Sequence, residues 1–314
     1  NHIGLPLTLL KLTGAHRYAV IEMGMSHFGE LAQLTQIARP DVALVNNALR
    51  AHVGCGFDGV GDIAKAKSEI YQGLNADGLA LIPCEDANAA VFQTASKAFK
   101  QHTFGVGQGD IHAENIVLQP LSCAFDLVRG EERAAVLLPV PGKHNIHNAV
   151  AAAALALAAG LRLQEVSDGL QSFANIKGRL QIKSGIKNAV VLDDTYNANP
   201  DSMKAALDVL AALPTPRVFV MGDIGELGED ESAAMHAEVG AYARDKGIEA
   251  AYFVGGFSAA AAEAFGGRGL WFADKDPLIQ VLLHDLPEQA HVLVKGSRFM
   301  KMEEVVQALQ GAEK

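Results

Sequence analysis

Between Leu44 and Tyr71 the sequence LVNNALRAHVGCGFDGVGDIAKAKSEIY gathers an asparagine pair, Asn46 and Asn47, then His52, a glycine-rich loop and Lys67. Glu22 lies upstream, at the end of the apolar run RYAVIEM. In open α/β sheets ligands sit outside the carboxyl ends of strands, and Glu22 and the asparagine pair both read as falling there. Magnesium takes oxygen ligands and keeps several waters, so one carboxylate with little further protein ligation is enough to place it. Histidine is a less usual magnesium ligand. On this reading Glu22, His52 and Lys67 form a magnesium-centred site for phosphoryl and acyl transfer. The bland alternative makes Glu22 a surface residue and both Lys65 and Lys67 solvated helix residues. Residues two apart diverge on a helix, so one lysine at most faces the site. Lys67 follows Ile63 by four and precedes Ile70 by three, so it neighbours the buried stripe and Lys65 does not.

Four further stretches concentrate polar side chains. PGKHNIHN, residues 141–148, opens an apolar helix pattern. One polar residue suffices for a helix cap, but Lys143, His144, Asn145, His147 and Asn148 crowd here, and the excess points to ligand contacts. Asn145 and Asn148 share a face. LDDTYNANPDS, residues 192–202, is a strand ending in two acids. Asn197 and Asn199 could be ordinary turn and cap residues, or the acids could take ribose hydroxyls. GDIGELG, residues 222–228, is another glycine-rich strand-end loop. KGSR, residues 295–298, puts two cations and a hydroxyl before the last helix, which suits a carboxylate or phosphate. Cys55 follows His52 closely enough for a Cys–His nucleophile, but no oxyanion-hole pattern accompanies it.

The elements that must position these residues are those of a two-domain globular chain. At 314 residues two domains are expected. Apolar residues make up 49% and charged ones 20%, which excludes a disordered chain. The net charge of −10 argues against a nucleic-acid surface, although loop amides and a metal can still bind phosphates locally. Three cysteines without a Cys-x-x-Cys spacing argue against a thiolate zinc site or a disulfide framework and fit a reducing compartment. No signal peptide is visible. The longest charge-free helical run, about residues 146–161, is short of the roughly 20 apolar residues a membrane span needs.

Strands are expected at residues 17–23, 41–45 and 78–83, with helices at 29–38, 62–74 and 87–99. That alternation argues for a parallel α/β sheet. Three short strands at 113–119, 122–128 and 134–139 add an antiparallel appendage. Helices at 146–161 and 164–173 follow, and a boundary falls near 174–180. The α/β alternation then restarts. Strands are expected at 189–193, 217–221, 250–254, 269–272 and 291–294. Helices are expected at 201–212, 231–246, 258–265, 277–285 and 300–310.

Taken in order, NHIGLPLTLL, VIEMGMSHFGE, LVNNALRAH, AKAKSEI, LPVPGKHNIHNAVAAAALA, GRL, LDDTYNANPDSM, VMGDIGELG and LVKGSR resemble the Mur ligase family of bacterial peptidoglycan synthesis along nearly the whole chain. DDTYNANPDSM with GDIGELG points to its D-alanyl-D-alanine-adding member and away from sister ligases, such as the diaminopimelate-adding enzyme or folylpolyglutamate synthase. The other alternative is a non-catalytic nucleotide-binding module. The resemblance implies a central ATPase-type α/β domain over residues 1–177 and a C-terminal Rossmann-like domain over 178–314. It implies a cytoplasmic, monomeric ligase that uses ATP and Mg2+ to join D-Ala-D-Ala to UDP-muramyl-tripeptide through an acyl phosphate. By the same resemblance Glu22 and His52 are magnesium ligands, and Lys67 is a carbamylated lysine whose carbamate adds an oxygen ligand. His144, Asn145, Asn148, Arg179 and Asp194 contact ATP, Asp194 at the ribose. Ser26 and His27 face the muramyl peptide, and Asn197, Asn199, Ser297 and Arg298 line the D-Ala-D-Ala side. The family also carries a UDP-binding amino-terminal domain and a Walker-type glycine loop ahead of the segment that Asn1–Leu10 resembles. No G-x-x-x-x-G-K-[ST] occurs in the 314 residues. The chain is therefore expected to be a fragment that does not ligate by itself.

Overall fold

The computed structural model describes residues 1–54, 56–174 and 176–311; Cys55, weighed above as a nucleophile, lies outside them. The chain divides into two compact units, one of Asn1–Pro139 with Lys143–Phe173 and the other of Val140–Gly142 with Ala174–Lys314.

The first unit runs α1 (Gly4–Leu9), α2 (Glu30–Ala38), β1 (Val42–Leu44), α3 (Val60–Ser68), β2 (Leu79–Pro83), α4 (Ala89–Ala95) and β3 (Lys100–Gly105). It continues with β4 (Ile111–Leu118), β5 (Cys123–Arg129), β6 (Glu132–Leu138), α5 (Lys143–Ala158) and α6 (Leu163–Gln171). Its six strands lie in sequence order. β1 to β4 pair in parallel, whereas β4, β5 and β6 pair antiparallel. Burial follows this change. β2 (LALIP) is buried along nearly its whole length, as a strand covered on both faces must be. β6 alternates buried and exposed residues, with one face on the core. α5 buries Ile146, Ala149, Val150, Ala153, Ala154 and Leu157, a stripe at helical period.

Residues 17–23 depart from expectation. They form no strand, and Tyr18 and Val20 are 54% and 83% exposed. Their β-branched and aromatic composition reads as a strand, but a strand needs a ladder partner. β1, at the sheet edge, pairs only with β2 among the described strands. Glu22 is therefore exposed and does not end a strand. The helix expected over 62–74 begins at Val60 and tightens to a 3₁₀ turn, Glu69–Gly73. There Gly73 sits so close to Thr35 that a Cβ would meet its backbone at 2.3 Å. β3 was not expected, because its sequence KQHTFG is mostly polar.

The second unit runs β7 (Gln181–Ser184), β8 (Val190–Asp194), α7 (Pro200–Ala211), β9 (Arg217–Gly222), α8 (Glu229–Asp245) and β10 (Ala250–Val254). Then come α9 (Ser258–Phe265), β11 (Gly269–Phe272), α10 (Lys275–Asp285), β12 (His291–Lys295) and α11 (Glu303–Gln310). The strand order is β11-β10-β9-β12-β8-β7, parallel except for β7. β7 is short and polar, and it too was not expected. Alternate residues of one strand enter different cores: Leu293 packs with Phe219, Phe253 and Leu207, while Val292 and Val294 pack with Val191, Val220 and Val306. Helices thus cover both faces, α7 to α9 on one and α10 and α11 on the other. The order sets β8, β12 and β9 side by side, with Lys295 in register with Asp194 and Met221. Among the described residues no helix is long and apolar enough to cross a membrane.

Candidate functional sites

In the first unit polar residues collect beyond the carboxyl ends of β1 and β2, where parallel sheets bind ligands. Lys67 is the inward lysine of α3. Its Nζ donates to the Asn47 carbonyl at 2.7 Å, whereas Lys65 is exposed and paired with Asp62 at 3.0 Å. Burial lowers the pKa of Lys67, against the charge of Asp86, which raises it. Asp86 was not foreseen from sequence. It comes from the loop after β2, and its Oδ2 accepts the Ala48 amide at 2.7 Å. A short acid one turn after a strand is common in any sequence, and only the fold sets it near Lys67.

α5 closes the other side of the asparagine pair. Asn46 Nδ2 donates to Asn148 Oδ1 at 2.9 Å, and His147 Nε2 donates to the Asn46 carbonyl at 2.8 Å. Asn46 Oδ1 is buried without a hydrogen-bond partner, an acceptor left over at the start of a helix. The amino end of α5, with His144 and Asn145, suits a polar or anionic ligand because its backbone amides and dipole point there.

The loops around Ser26 and His52 meet. Glu30, at the start of α2, reaches back to accept the amides of Ser26 (2.6 Å) and His27 (3.2 Å). The His27 ring lies 3.5 Å from the same carboxylate and is largely exposed. Phe28 and Phe57 pack edge to face at 5.2 Å. Gly56, at φ +106°, lies where a Cβ would come within 2.7 Å of the Ser26 carbonyl, so only glycine permits this approach. His52 itself adopts a left-handed φ of 64°, uncommon outside glycine and held here by its surroundings.

The structure thus joins Lys67, Asn47, Asn46, His147 and Asn148 in one bonded network and sets the Ser26–His27 loop against the loop after His52. Among the described residues no three His, Cys, Asp or Glu side chains cluster as a metal site. Glu22 and His52, two of the ligands expected from sequence, are therefore not part of such a cluster of three. Lys67 as an ammonium is a donor only and cannot ligate a cation. A carbamate on its nitrogen would supply an acceptor, and the lowered pKa favours the neutral amine from which a carbamate forms.

The second site lies at the carboxyl ends of β8, β9 and β12. Lys295, 3% exposed, donates to Asp194 Oδ2 at 2.5 Å and to the Asn197 carbonyl at 3.0 Å. Asp194 Oδ1 accepts the Leu180 amide at 3.1 Å. Both carboxylate oxygens of Asp194 are engaged, so a ribose hydroxyl would have to use their remaining lone pairs. Its neighbour Asp193 is fully buried, accepts the Thr195 hydroxyl at 2.6 Å and pairs with Lys183 at 2.8 Å.

Ser297 ties two loops together. Its Oγ accepts the Gly225 amide at 2.7 Å and donates to the Ala198 carbonyl at 3.3 Å, linking GDIGELG to TYNANP. Asn199 caps α7 with a reciprocal pair of bonds to Ser202 (2.8 and 3.0 Å), and Asn197 Oδ1 accepts the Ala198 amide at 2.9 Å. The local turn and cap reading accounts for these bonds of both asparagines. Arg298 is largely exposed and pairs with Glu303 at 2.9 Å. Behind GDIGELG the fully buried His236 accepts the Ile224 amide at Nε2 (2.9 Å) and donates from Nδ1 to the Ser232 carbonyl (2.6 Å). Asp223 accepts the Ser258 amide and hydroxyl at 2.8 and 2.6 Å, holding the start of α9.

Comparison with known proteins finds two family models on this chain. The Mur ligase middle domain matches residues 1–156, and the Mur ligase glutamate ligase domain matches residues 178–298. The UDP-N-acetylmuramoyl-tripeptide–D-alanyl-D-alanine ligase of Escherichia coli K12 is 43% identical over 99% of this chain and 69% of its own length. The Bacillus subtilis enzyme of the same name is 32% identical over 98% and 68%. A crystal structure of MurF from Acinetobacter baumannii superposes with a TM-score of 0.92 at 38% identity, covering 99% of this chain and 68% of that one.

Proposed function

This chain belongs to the Mur ligase family, and we propose that it joins D-alanyl-D-alanine to UDP-N-acetylmuramoyl-tripeptide at the expense of ATP, in peptidoglycan precursor synthesis. The observation that carries this reading is identity along essentially the whole chain to ligases of that name, with the TYNANP and GDIGELG loops bound together by Ser297 in one site. In this reading the terminal carboxylate of the tripeptide attacks the γ-phosphorus of ATP. A carbon-bound oxygen gains phosphorus and ADP leaves. The dipeptide amine then attacks the acyl carbon, loses a proton, and displaces phosphate as the amide forms. Such reactions are accelerated mainly by positioning and by charge stabilisation of the transferring phosphoryl group.

Residues 1–177 serve as the ATP-binding domain and 178–314 as the ligand-binding domain of a monomeric, cytoplasmic enzyme. His144, Asn145 and Asn148 take the adenine at the head of α5. Arg179 and Asp194 also contact ATP, Asp194 at the ribose. Ser26 and His27 face the muramyl peptide. Asn197, Asn199, Ser297 and Arg298 line the entry of D-Ala-D-Ala. Glu22, His52 and Lys67, carbamylated, would hold Mg2+, which supplies positive charge to the phosphoryl oxygens. The half-buried position of Lys67 and its lowered pKa support the carbamate; the bond to Asn47 fixes its nitrogen.

The test is magnesium-dependent binding of an ATP analogue to the natural full-length protein by calorimetry. Glu22→Ala should abolish the magnesium-dependent part. Unchanged magnesium-dependent affinity in Glu22→Ala would overturn this placement of the metal.

A further inference from the structure

The segment Gly178–Leu180, which carries Arg179, is braced from within the second unit. The Tyr196 amide donates to the Gly178 carbonyl at 3.0 Å. The Leu180 amide donates to Asp194 Oδ1 at 3.1 Å. Leu180 is buried although its φ is +49°, a conformation that costs a branched residue energy and persists only where partners hold it. Gly178, at φ +74°, lets the chain come within 3.1 Å of the Tyr196 nitrogen at the position of a Cβ. Between these two anchors Arg179 is exposed, with its guanidinium 4.3 Å from the centre of the Tyr196 ring, in cation–π range.

Behind this brace stands Lys295. It touches no solvent to speak of, with 4% of its side chain exposed, and its partner Asp194 is 14% exposed. It bonds Asp194 Oδ2, the oxygen that Leu180 does not use, and the Asn197 carbonyl. It therefore neutralises the carboxylate that holds Leu180 and pins the loop that carries Tyr196. A carboxylate buried this far without its cation would draw in water or shift, and both contacts that orient Arg179 would loosen together.

We propose that Lys295 is a positioning residue that acts through Asp194, Leu180 and Tyr196 to hold the Arg179 guanidinium for the phosphates of ATP. A guanidinium already ordered loses less freedom when it meets an anion than a mobile one does. This rests on the ligase reading above, in which Arg179 contacts ATP.

The test is a double-mutant cycle in the natural full-length protein, read as kcat/KM for ATP at saturating peptide substrates. Lys295→Met should lower it at least tenfold in the wild-type background and less than twofold in the Arg179→Ala background, because the two residues act as one unit. A merely structural role gives the same factor in both backgrounds, and that result overturns the proposal. Tyr196→Leu, at a half-exposed position, should show the same non-additivity with Arg179→Ala; additive losses there overturn it equally. Amide exchange at Leu180 gives a readout independent of turnover. It should quicken at least tenfold in Lys295→Met, and unchanged protection contradicts the brace. Absence of turnover in the wild type would sink the ligase reading, while the exchange result would still decide on the brace.

Discussion

Replacing His236 by leucine should weaken the second unit and flatten its response to acid. The imidazole is fully buried. Its Nε2 accepts the Ile224 amide and its Nδ1–H donates to Ser232, so both nitrogens are used and the neutral form is the one that fits. Burial lowers its pKa, against the Ser232 carbonyl and the charge of Asp223, which raise it. Leucine keeps an apolar contact with the Phe257 ring, now 5.8 Å from the imidazole, but leaves the buried Ile224 amide without an acceptor. An unsatisfied buried donor costs about 1–3 kcal/mol. For a protein of this length that is roughly 2–12 °C in Tm. The pH effect has a definite sign. The unfolded histidine takes up a proton below about pH 6.5, while the folded one resists, so the unfolded state binds more protons. Stability therefore falls as pH drops below about 6.5 toward the lowered folded pKa, by up to about 1.4 kcal/mol per pH unit from this group. Carboxylates act lower: Glu249, which partial burial would raise, is held low by Arg217 and loses that support only below about pH 4.5. Urea denaturation of wild type and His236→Leu at pH 7.5, 6.5 and 5.5 measures both effects. A leucine variant with an unchanged midpoint, or with the wild-type slope between pH 6.5 and 5.5, would refute the reasoning.

Two other substitutions probe the scaffold of the same site. At Gly240 an added Cβ would lie 2.0 Å from the Ala261 carbonyl oxygen, so Gly240→Ala must part α8 from α9 and should cost about 1–3 kcal/mol or more; a urea midpoint equal to wild type would show that the two helices are not so closely set. Asn199→Ala removes the cap of α7 and should cost about 1 kcal/mol, whereas Asn199→Ser keeps a capping oxygen and should stay within a few tenths. If Asn199 also meets the incoming dipeptide, the serine variant raises KM for D-Ala-D-Ala without losing stability; an unchanged KM would leave Asn199 as a cap alone.

The parts of the fold most legible in the sequence were those with strong periodicity. The strands after residue 189 and the helix at Ser258–Phe265 stand where apolar runs and turn residues placed them. β3 and β7 escaped because their residues are mostly polar and they owe their strand form to neighbours already in the sheet. Residues 17–23 show the converse: good strand composition without a partner. The inward turn of Lys67 followed from its spacing against Ile63 and Ile70. The bonds of Asp86, His147 and Lys295 did not, because each depends on strands far apart in sequence being brought side by side. In the sequence Lys295 is only one of two cations in KGSR, available to an anion. The fold buries it against Asp194 instead.

The amine that the protein joins to UDP-muramyl-tripeptide decides its assignment. The natural full-length protein would be given ATP, magnesium, bicarbonate, the tripeptide substrate and D-Ala-D-Ala, D-Glu and diaminopimelate in separate reactions, with product masses read directly. A product that gains D-Ala-D-Ala and neither of the others is the result expected. A product with D-Glu or diaminopimelate, or ATP bound with no product from any amine, would contradict the assignment.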